Sequence, residues 1–143
     1  MSESDELARF SKLFGALEEP SRKKLMDLSH KAAFASGAVI CKEGDPGAEF
    51  YVVVKGKGKV SGDDLLGRSH ELAVLGPGEF FGELAALTGQ RRQATVVAHE
   101  DCEVICFPPA AVTEVVQGSK PALEVLQKAG LYRTEDTMKK MMD

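Results

Sequence analysis

Between Ala33 and Phe107 the chain alternates short β-rich segments with glycine-containing turns, and this rhythm limits its fold more than any other feature. Turn signals recur about every 8 to 12 residues, which is typical of an antiparallel barrel or jelly roll. The predicted strands are 38–41, 50–54, 59–60, 71–75, 94–98 and 103–107. Because 50–54 is apolar throughout, we expect a central strand covered on both faces. The polar stretch 61–68 is typical of a hairpin tip.

Helical patterns flank the β-rich region. Apolar residues recur at helical spacing from about Asp5 to Leu17, with Ser4 as the N-cap. Pro20 interrupts this pattern, and a second short helix is predicted after Ser21. Two more helices are predicted at 110–117 and 122–132. The predicted fold is therefore mainly β with flanking helices, an antiparallel β jelly-roll barrel. We expect one domain, 1–143, with N-terminal helices at 1–32, the barrel at 33–107 and C-terminal lid helices at 108–143.

Composition excludes several classes of protein. The net charge is −4 and no dense Lys/Arg stripe occurs, which argues against nucleic-acid binding. No apolar run approaches the roughly 20 residues of a membrane span, so no direct membrane insertion is predicted. Three scattered cysteines, together with an amino terminus that lacks a basic-then-apolar leader, indicate a reducing, cytoplasmic location.

The segment 80–97, here called the cradle, has the composition of an anion site. Gly82 lets the backbone approach a ligand closely. Residues 83–87 are predicted to form one short helical turn whose free amides point at an anion. Arg92 supplies the counter-charge.

Two parts of the cradle carry a family resemblance. Phe81-Gly-Glu-Leu-Ala85, followed after a gap by Arg92-Gln-Ala-Thr-Val96, resembles the phosphate-binding cassette of cyclic nucleotide-binding domains. The similarity extends to the early strands and to the strand that closes the barrel. The further matching segments are 37–40, 43–45, 50–53, 75–82 and 101–106. The resemblance covers roughly Phe10 to Leu131.

This resemblance implies a ligand and a set of contacts. Arg92 pairs with the cyclic phosphate, whose single charge over two oxygens suits a guanidinium, and Glu83 accepts from the ribose 2′-hydroxyl. Backbone amides complete the phosphate contacts, and a small residue lies against the sugar-phosphate. The predicted ligand-binding residues are Gly82, Glu83, Leu84, Ala85, Arg92, Gln93, Ala94 and Thr95.

The sequence departs from the family pattern beside the arginine. Arg91 replaces the usual Pro and is expected to point to solvent. Gln93 replaces the Thr or Ser that resembles a guanine-selecting residue, which favours cyclic AMP and leaves cyclic GMP open. The lid residue over the base is not fixed by the resemblance. The lid candidates are Leu131, Tyr132 and Arg133.

Catalytic and metal sites are not predicted. His30, His70 and His99 lie far apart in sequence, and Cys102 and Cys106 are expected to pack in a strand core. A buried salt bridge between Glu83 and Arg92 is the structural alternative to a ligand site. It leaves Gly82 and the small residue at 94 unexplained.

The sequence therefore predicts a non-enzymatic cyclic nucleotide sensor, with no cofactor and with cyclic AMP or cyclic GMP as its regulatory ligand. Resemblance implies that ligand draws the cradle inward, the last helix covers the base, and the N-terminal helices pass the change to a protein effector. The alternative is a domain of the same fold that has lost the nucleotide and acts in protein association. An enzyme on the same barrel ranks last, and the sequence sets no oligomeric state.

Overall fold

Two four-stranded antiparallel sheets form the body of the molecule. The computed structural model describes residues 11–47, 49–82, 91–92, 94–111, 114–115 and 118–128. The strands are β1 (His30–Phe34), β2 (Val39–Cys41), β3 (Phe50–Lys55), β4 (Gly58–Asp63), β5 (Ser69–Leu75), β6 (Phe80–Phe81), β7 (Thr95–Ala98) and β8 (Cys102–Phe107). One sheet has the order β1-β8-β3-β6 and the other β2-β7-β4-β5. Neighbouring strands are mostly distant in sequence, as in a jelly roll, and the barrel is open rather than closed.

Strand β3 is central, as its apolar sequence predicts. It lies between β8 and β6, and its first four residues are buried. Because successive side chains point to opposite faces, Phe50 and Val52 join a core shared with the helices, whereas Tyr51 and Val53 join the core between the sheets. Strand β3 therefore connects the helical layer to the interior of the barrel.

The helices differ from the predicted pattern at their boundaries. Helix α1 spans Lys12–Gly15 and α2 spans Glu19–Asp27. The prediction of a continuous helix from Asp5 to Leu17 is wrong, because Ser11 is extended (φ −107°, ψ 120°) and its side chain caps α1. Helix α2 begins before Ser21, with Pro20 in its first turn, where a missing N–H removes no helical bond.

The carboxyl-terminal part contains a short helix α3, Pro109–Ala111, and a helix α4 over 120–128. Buried Leu126 of α4 packs in the helical core. The predicted N-cap Ser4 and the lid candidates Leu131, Tyr132 and Arg133 lie outside the described residues. No helix within the described ranges is long and apolar enough to cross a bilayer.

The strand predictions also need correction, and β6 is not among the predicted strands. Strand β1 was missed, since its polar start, His30 and Lys31, lies exposed at a sheet edge and lacks an apolar pattern. The hairpin tip is 64–68 rather than 61–68, because β4 continues to Asp63. Backbone pairing with β5, and a bond from the Asp63 N–H to Glu43 Oε2 at 3.1 Å, hold this polar end in the strand.

Candidate functional site

Arg92 is a buried arginine held by its own backbone. The residue lies in the interior, with 8% of its surface exposed. Its N–H donates to the Asp45 carbonyl at 3.0 Å, and its carbonyl accepts from the Gly44 N–H at 2.8 Å. These two bonds fix the start of the β7 segment against the turn that follows β2, so the guanidinium has a defined point of attachment.

The guanidinium lies over an aromatic ring and lacks a complete set of acceptors. Its Cζ is 5.5 Å from the centroid of the Tyr51 ring, within the range of a cation–π contact. Nη1 is inaccessible to water and has no hydrogen-bond partner among the described residues. Since a buried charged donor without an acceptor is unfavourable, this atom is suited to receive an anion from outside the chain.

Gly82 permits the close approach of the chain to Arg92. Its φ is +86°, a left-handed conformation that favours glycine, and a Cβ there would lie 2.7 Å from Arg92 Nη1. The same Cβ would lie 2.7 Å from the carbonyl oxygen of Glu49. A side chain at this position would therefore fill the space next to the unpaired nitrogen. Gly47 is similarly close, since its Cβ would lie 3.3 Å from Arg92 Nε and Nη2.

An aromatic pair forms the floor of the site. The rings of Tyr51 and Phe81 stack with centroids 4.8 Å apart and an interplanar angle of 16°. Antiparallel pairing of β3 with β6 places these two residues opposite each other. Gly82, which directly follows β6, therefore lies at the edge of the Tyr51 ring.

Groups next to Arg92 are kept neutral. Burial, aided by the Glu49 carboxylate, raises the pKa of Tyr51 to about 12. Burial also raises the pKa of the Cys41 thiol, although Arg92 acts in the opposite direction. Neither of these two side chains supplies an anion to Arg92 at neutral pH.

Thr95 takes part in the scaffold of the site. Its Oγ1 accepts from the Glu43 N–H at 3.0 Å, which ties β7 to the chain just after β2. Arg91 is exposed, as predicted, and in addition donates from Nη1 to the Gly44 carbonyl at 3.0 Å. The Thr95 bond adds to the attachment already made by the Arg92 backbone, whereas the Arg91 bond is exposed to solvent.

Half of the predicted ligand-binding residues are described. Gly82 and Arg92 are brought together, Thr95 lies at the start of β7, and Ala94 is half-buried just before it. The other four, Glu83, Leu84, Ala85 and Gln93, lie outside the described residues. Sequence reasoning missed the contributions of Tyr51, Gly47 and the turn at 44–45. No local signal marks them, because strand pairing and a chain reversal place them at the site.

Comparison with known proteins identifies this arrangement. A family model described as the cyclic nucleotide-binding domain matches residues 31–119, more than half of the chain. The chain belongs to the cyclic nucleotide-binding domain family. Arg92 and Gly82 of this cyclic nucleotide-binding domain lie inside the matched region.

Relatives of known role agree with the family assignment. The chain is 37% identical over 116 residues to a cAMP-dependent protein kinase regulatory subunit of Blastocladiella emersonii, covering 81% of this chain and 28% of the relative. The chain thus spans little more than a quarter of that relative's length. The resemblance concerns the cyclic nucleotide-binding domain alone.

Solved structures share the fold. The catabolite activator protein of Thermus thermophilus superposes with a TM-score of 0.78 at 27% identity, covering 92% of this chain and 62% of that one. The regulatory domain of Toxoplasma gondii PKA, crystallised with cAMP, gives a TM-score of 0.80 at 25% identity, covering 90% and 49%. The mainly β fold with flanking helices is therefore that of the family.

Proposed function

We propose that this cyclic nucleotide-binding domain binds cyclic AMP, with Arg92 as the phosphate ligand. The observation that carries the proposal is the buried guanidinium whose Nη1 has no acceptor within the described part of the chain. A 3′,5′-cyclic phosphate bears one negative charge over two exocyclic oxygens, which matches the planar donors of arginine. Binding would supply the missing acceptor and balance the buried charge in one step.

The remaining predicted residues have complementary roles in this proposal. Glu83 accepts from the ribose 2′-hydroxyl, and the amides of Leu84, Ala85 and Gln93 donate to the phosphate. Gly82 and Ala94 leave room for the sugar-phosphate. Gln93 stands where the family's guanine-selecting Thr or Ser would lie, and for that reason we assign cyclic AMP as the preferred nucleotide over cyclic GMP.

The role proposed for the whole chain, 1–143, is a single non-enzymatic sensor domain. Relatives that resemble it are named as regulatory subunits and as a receptor protein, which supports regulation rather than catalysis. Arg92 is linked through Tyr51 to β3, whose Phe50 and Val52 pack in the core shared with α1, α2 and α4. This path would carry a change at the phosphate to the helices and from there to a protein effector.

We further propose a cytoplasmic location. Cys41, Cys102 and Cys106 are all free thiols in the structure, which suits a reducing compartment. Expression of a tagged full chain followed by fractionation would check this location directly.

Isothermal titration with cyclic AMP and cyclic GMP tests the ligand assignment. Arg92→Ala should weaken cyclic AMP binding by about 2 to 5 kcal/mol, or about 30-fold to several thousandfold, because the phosphate would lose its buried partner. Arg91→Ala is the matched control, since Arg91 is exposed, and should change affinity far less. An Arg92→Ala affinity equal to wild type would contradict the assignment. Absence of heat with either nucleotide would favour the protein-association alternative.

A further inference from the structure

Three side chains capable of binding a metal meet on the first sheet, next to Tyr51. They are His30 at the start of β1, Glu49 just before β3 and Cys106 in β8, and one ligand atom from each lies within 4.8 Å of the other two. His30 Nε2 is 3.9 Å from Glu49 Oε2. The cluster joins positions that have no ligand-type spacing in the sequence.

Strand register explains why these residues meet. Cys106 is opposite His30 on one side and opposite Tyr51 on the other. Directly opposed residues of antiparallel strands project from the same face, and Glu49, two residues before Tyr51, shares that face by alternation. Strand register therefore places the three side chains on one face of the sheet.

We propose that His30, Glu49 and Cys106 form a binding site for one Zn²⁺ ion. Imidazole nitrogen, thiolate sulfur and carboxylate oxygen are the donors that Zn²⁺ uses, whereas Mg²⁺ and Ca²⁺ prefer oxygen alone. Three protein ligands leave the fourth tetrahedral position to a water molecule. The charges also balance, because one thiolate and one carboxylate neutralise a divalent ion.

The geometry requires small adjustments for this role. Bonds of about 2.0 to 2.3 Å in a tetrahedron place ligand atoms about 3.3 to 3.7 Å apart, so the largest separation must close by at most about 1.5 Å. Side chains of His30 and Glu49 are 63% and 46% exposed and are free to make that movement. Cys106 is 3% exposed and supplies the fixed inner ligand.

Binding exchanges one proton for the metal. When Zn²⁺ enters, the S–H bond breaks, the S–Zn bond forms and the proton leaves to solvent. No oxidant or other reactant is needed.

Titration of the reduced full chain with Zn²⁺, and with Co²⁺ as a spectroscopic probe, tests the site. We expect one Zn²⁺ per chain and a thiolate-to-Co²⁺ charge-transfer absorption. His30→Gln, Glu49→Gln and Cys106→Ser should each weaken Zn²⁺ binding at least about tenfold, since even residues behind a metal ligand contribute that much. The two exposed substitutions keep the test decisive if Cys106→Ser fails to fold.

Matched controls are available in the same chain. Cys102 lies four residues before Cys106 on β8, in the same core and equally buried, and His99 is an exposed histidine. Cys102→Ser and His99→Gln should retain Zn²⁺ binding and the Co²⁺ absorption. Failure of wild type to bind Zn²⁺, or loss of binding in the controls but not in the three site variants, would overturn the proposal.

Discussion

Arg92 and Tyr51 form a cation–π pair at the centre of the candidate site, with the guanidinium carbon 5.5 Å from the ring centroid. The tyrosine ring is itself stacked on Phe81, so it has little freedom to move. The uncharged ring of Tyr51 therefore orients the Arg92 guanidinium. Its Nη1 has no hydrogen-bond partner among the described residues.

Replacement of this ring should weaken nucleotide binding. Tyr51→Leu removes the aromatic face beneath Arg92, and we expect a loss of about 0.5 to 2 kcal/mol, or about 2- to 30-fold in Kd for cyclic AMP. Tyr51→Phe keeps the face and should bind nearly as wild type. Titration calorimetry of both variants measures the difference, and equal affinities for Leu and Phe would contradict the stacking role.

Arg92 should also lower the stability of the ligand-free protein. Arg92→Met keeps much of the side-chain volume and removes a buried donor that has no acceptor within the described part of the chain, so the free energy of unfolding should rise by about 1 to 3 kcal/mol. Urea denaturation without nucleotide measures this change. Arg91→Met, at an exposed position, should stay within about 0.5 kcal/mol of wild type. A less stable Arg92→Met protein would show that the charge is already compensated.

Alanine substitutions at Gly82 and Gly37 distinguish the cost of backbone strain from the cost of steric crowding by neighbouring atoms. Both have positive φ, +86° and +90°, but only Gly82 has Arg92 and the Glu49 carbonyl where a Cβ would lie. Gly37→Ala should cost about 1 to 2 kcal/mol of stability through the left-handed backbone alone. Gly82→Ala should cost at least about 1 kcal/mol more and should weaken cyclic AMP binding. Thermal denaturation and calorimetry of both variants provide the comparison, and equal losses would exclude crowding at Arg92.

The stability of the protein should depend on pH in the acid range through Asp64, which lies at the hairpin tip. Its Oδ2 accepts a hydrogen bond from His70 Nε2 at 2.8 Å, and its oxygens also accept from Arg68 and from the Leu66 N–H. These bonds hold the pKa of this carboxyl well below its usual value of 3.8. A depressed folded-state pKa stabilises the protein above the unfolded value, and this contribution is lost as the pH falls below about 4. Asp64→Asn should therefore be less stable than wild type at neutral pH, with the gap narrowing below about pH 4.

Unfolding curves between pH 7 and pH 2 measure that gap. Asp63→Asn is the matched control, because Asp63 is the exposed neighbour on the same hairpin. Its stability difference from wild type should stay small across the range. A gap for Asp64→Asn that does not change with pH would contradict the ionic role of this carboxylate.

Local patterns predicted much of the fold. The apolar run in β3 correctly indicated a central strand, and a break between two helices was correctly predicted, although Pro20 lies in the first turn of α2 and not between the helices. Patterns failed where long-range contacts decide the outcome. Strand β1 starts with polar His30 and forms because β8 offers a partner, and Ser11 leaves the helical conformation although its neighbours have helical spacing.

The candidate site also contains both residues that the sequence predicts and residues that only the structure reveals. Gly82 and Arg92 carry recognisable chemistry in sequence, and the structure places them in contact distance. Tyr51 reads as one more apolar strand residue, and only long-range packing places its ring 5.5 Å from the Arg92 guanidinium carbon. The assigned contacts of Glu83, Leu84, Ala85 and Gln93 stay predictions of the resemblance.

The bonds between the turn at 44–45 and Arg92 also bear on the order of folding. Arg91 and Gly44, which are joined there, are separated by 47 positions. Closing a loop of that size has a length-dependent entropy cost of about 3 kcal/mol, which local structure does not offset. We therefore expect the site to form late, after the hairpin of β4 and β5 is in place. Nucleotide would then slow unfolding of the finished domain and have little effect on its rate of folding.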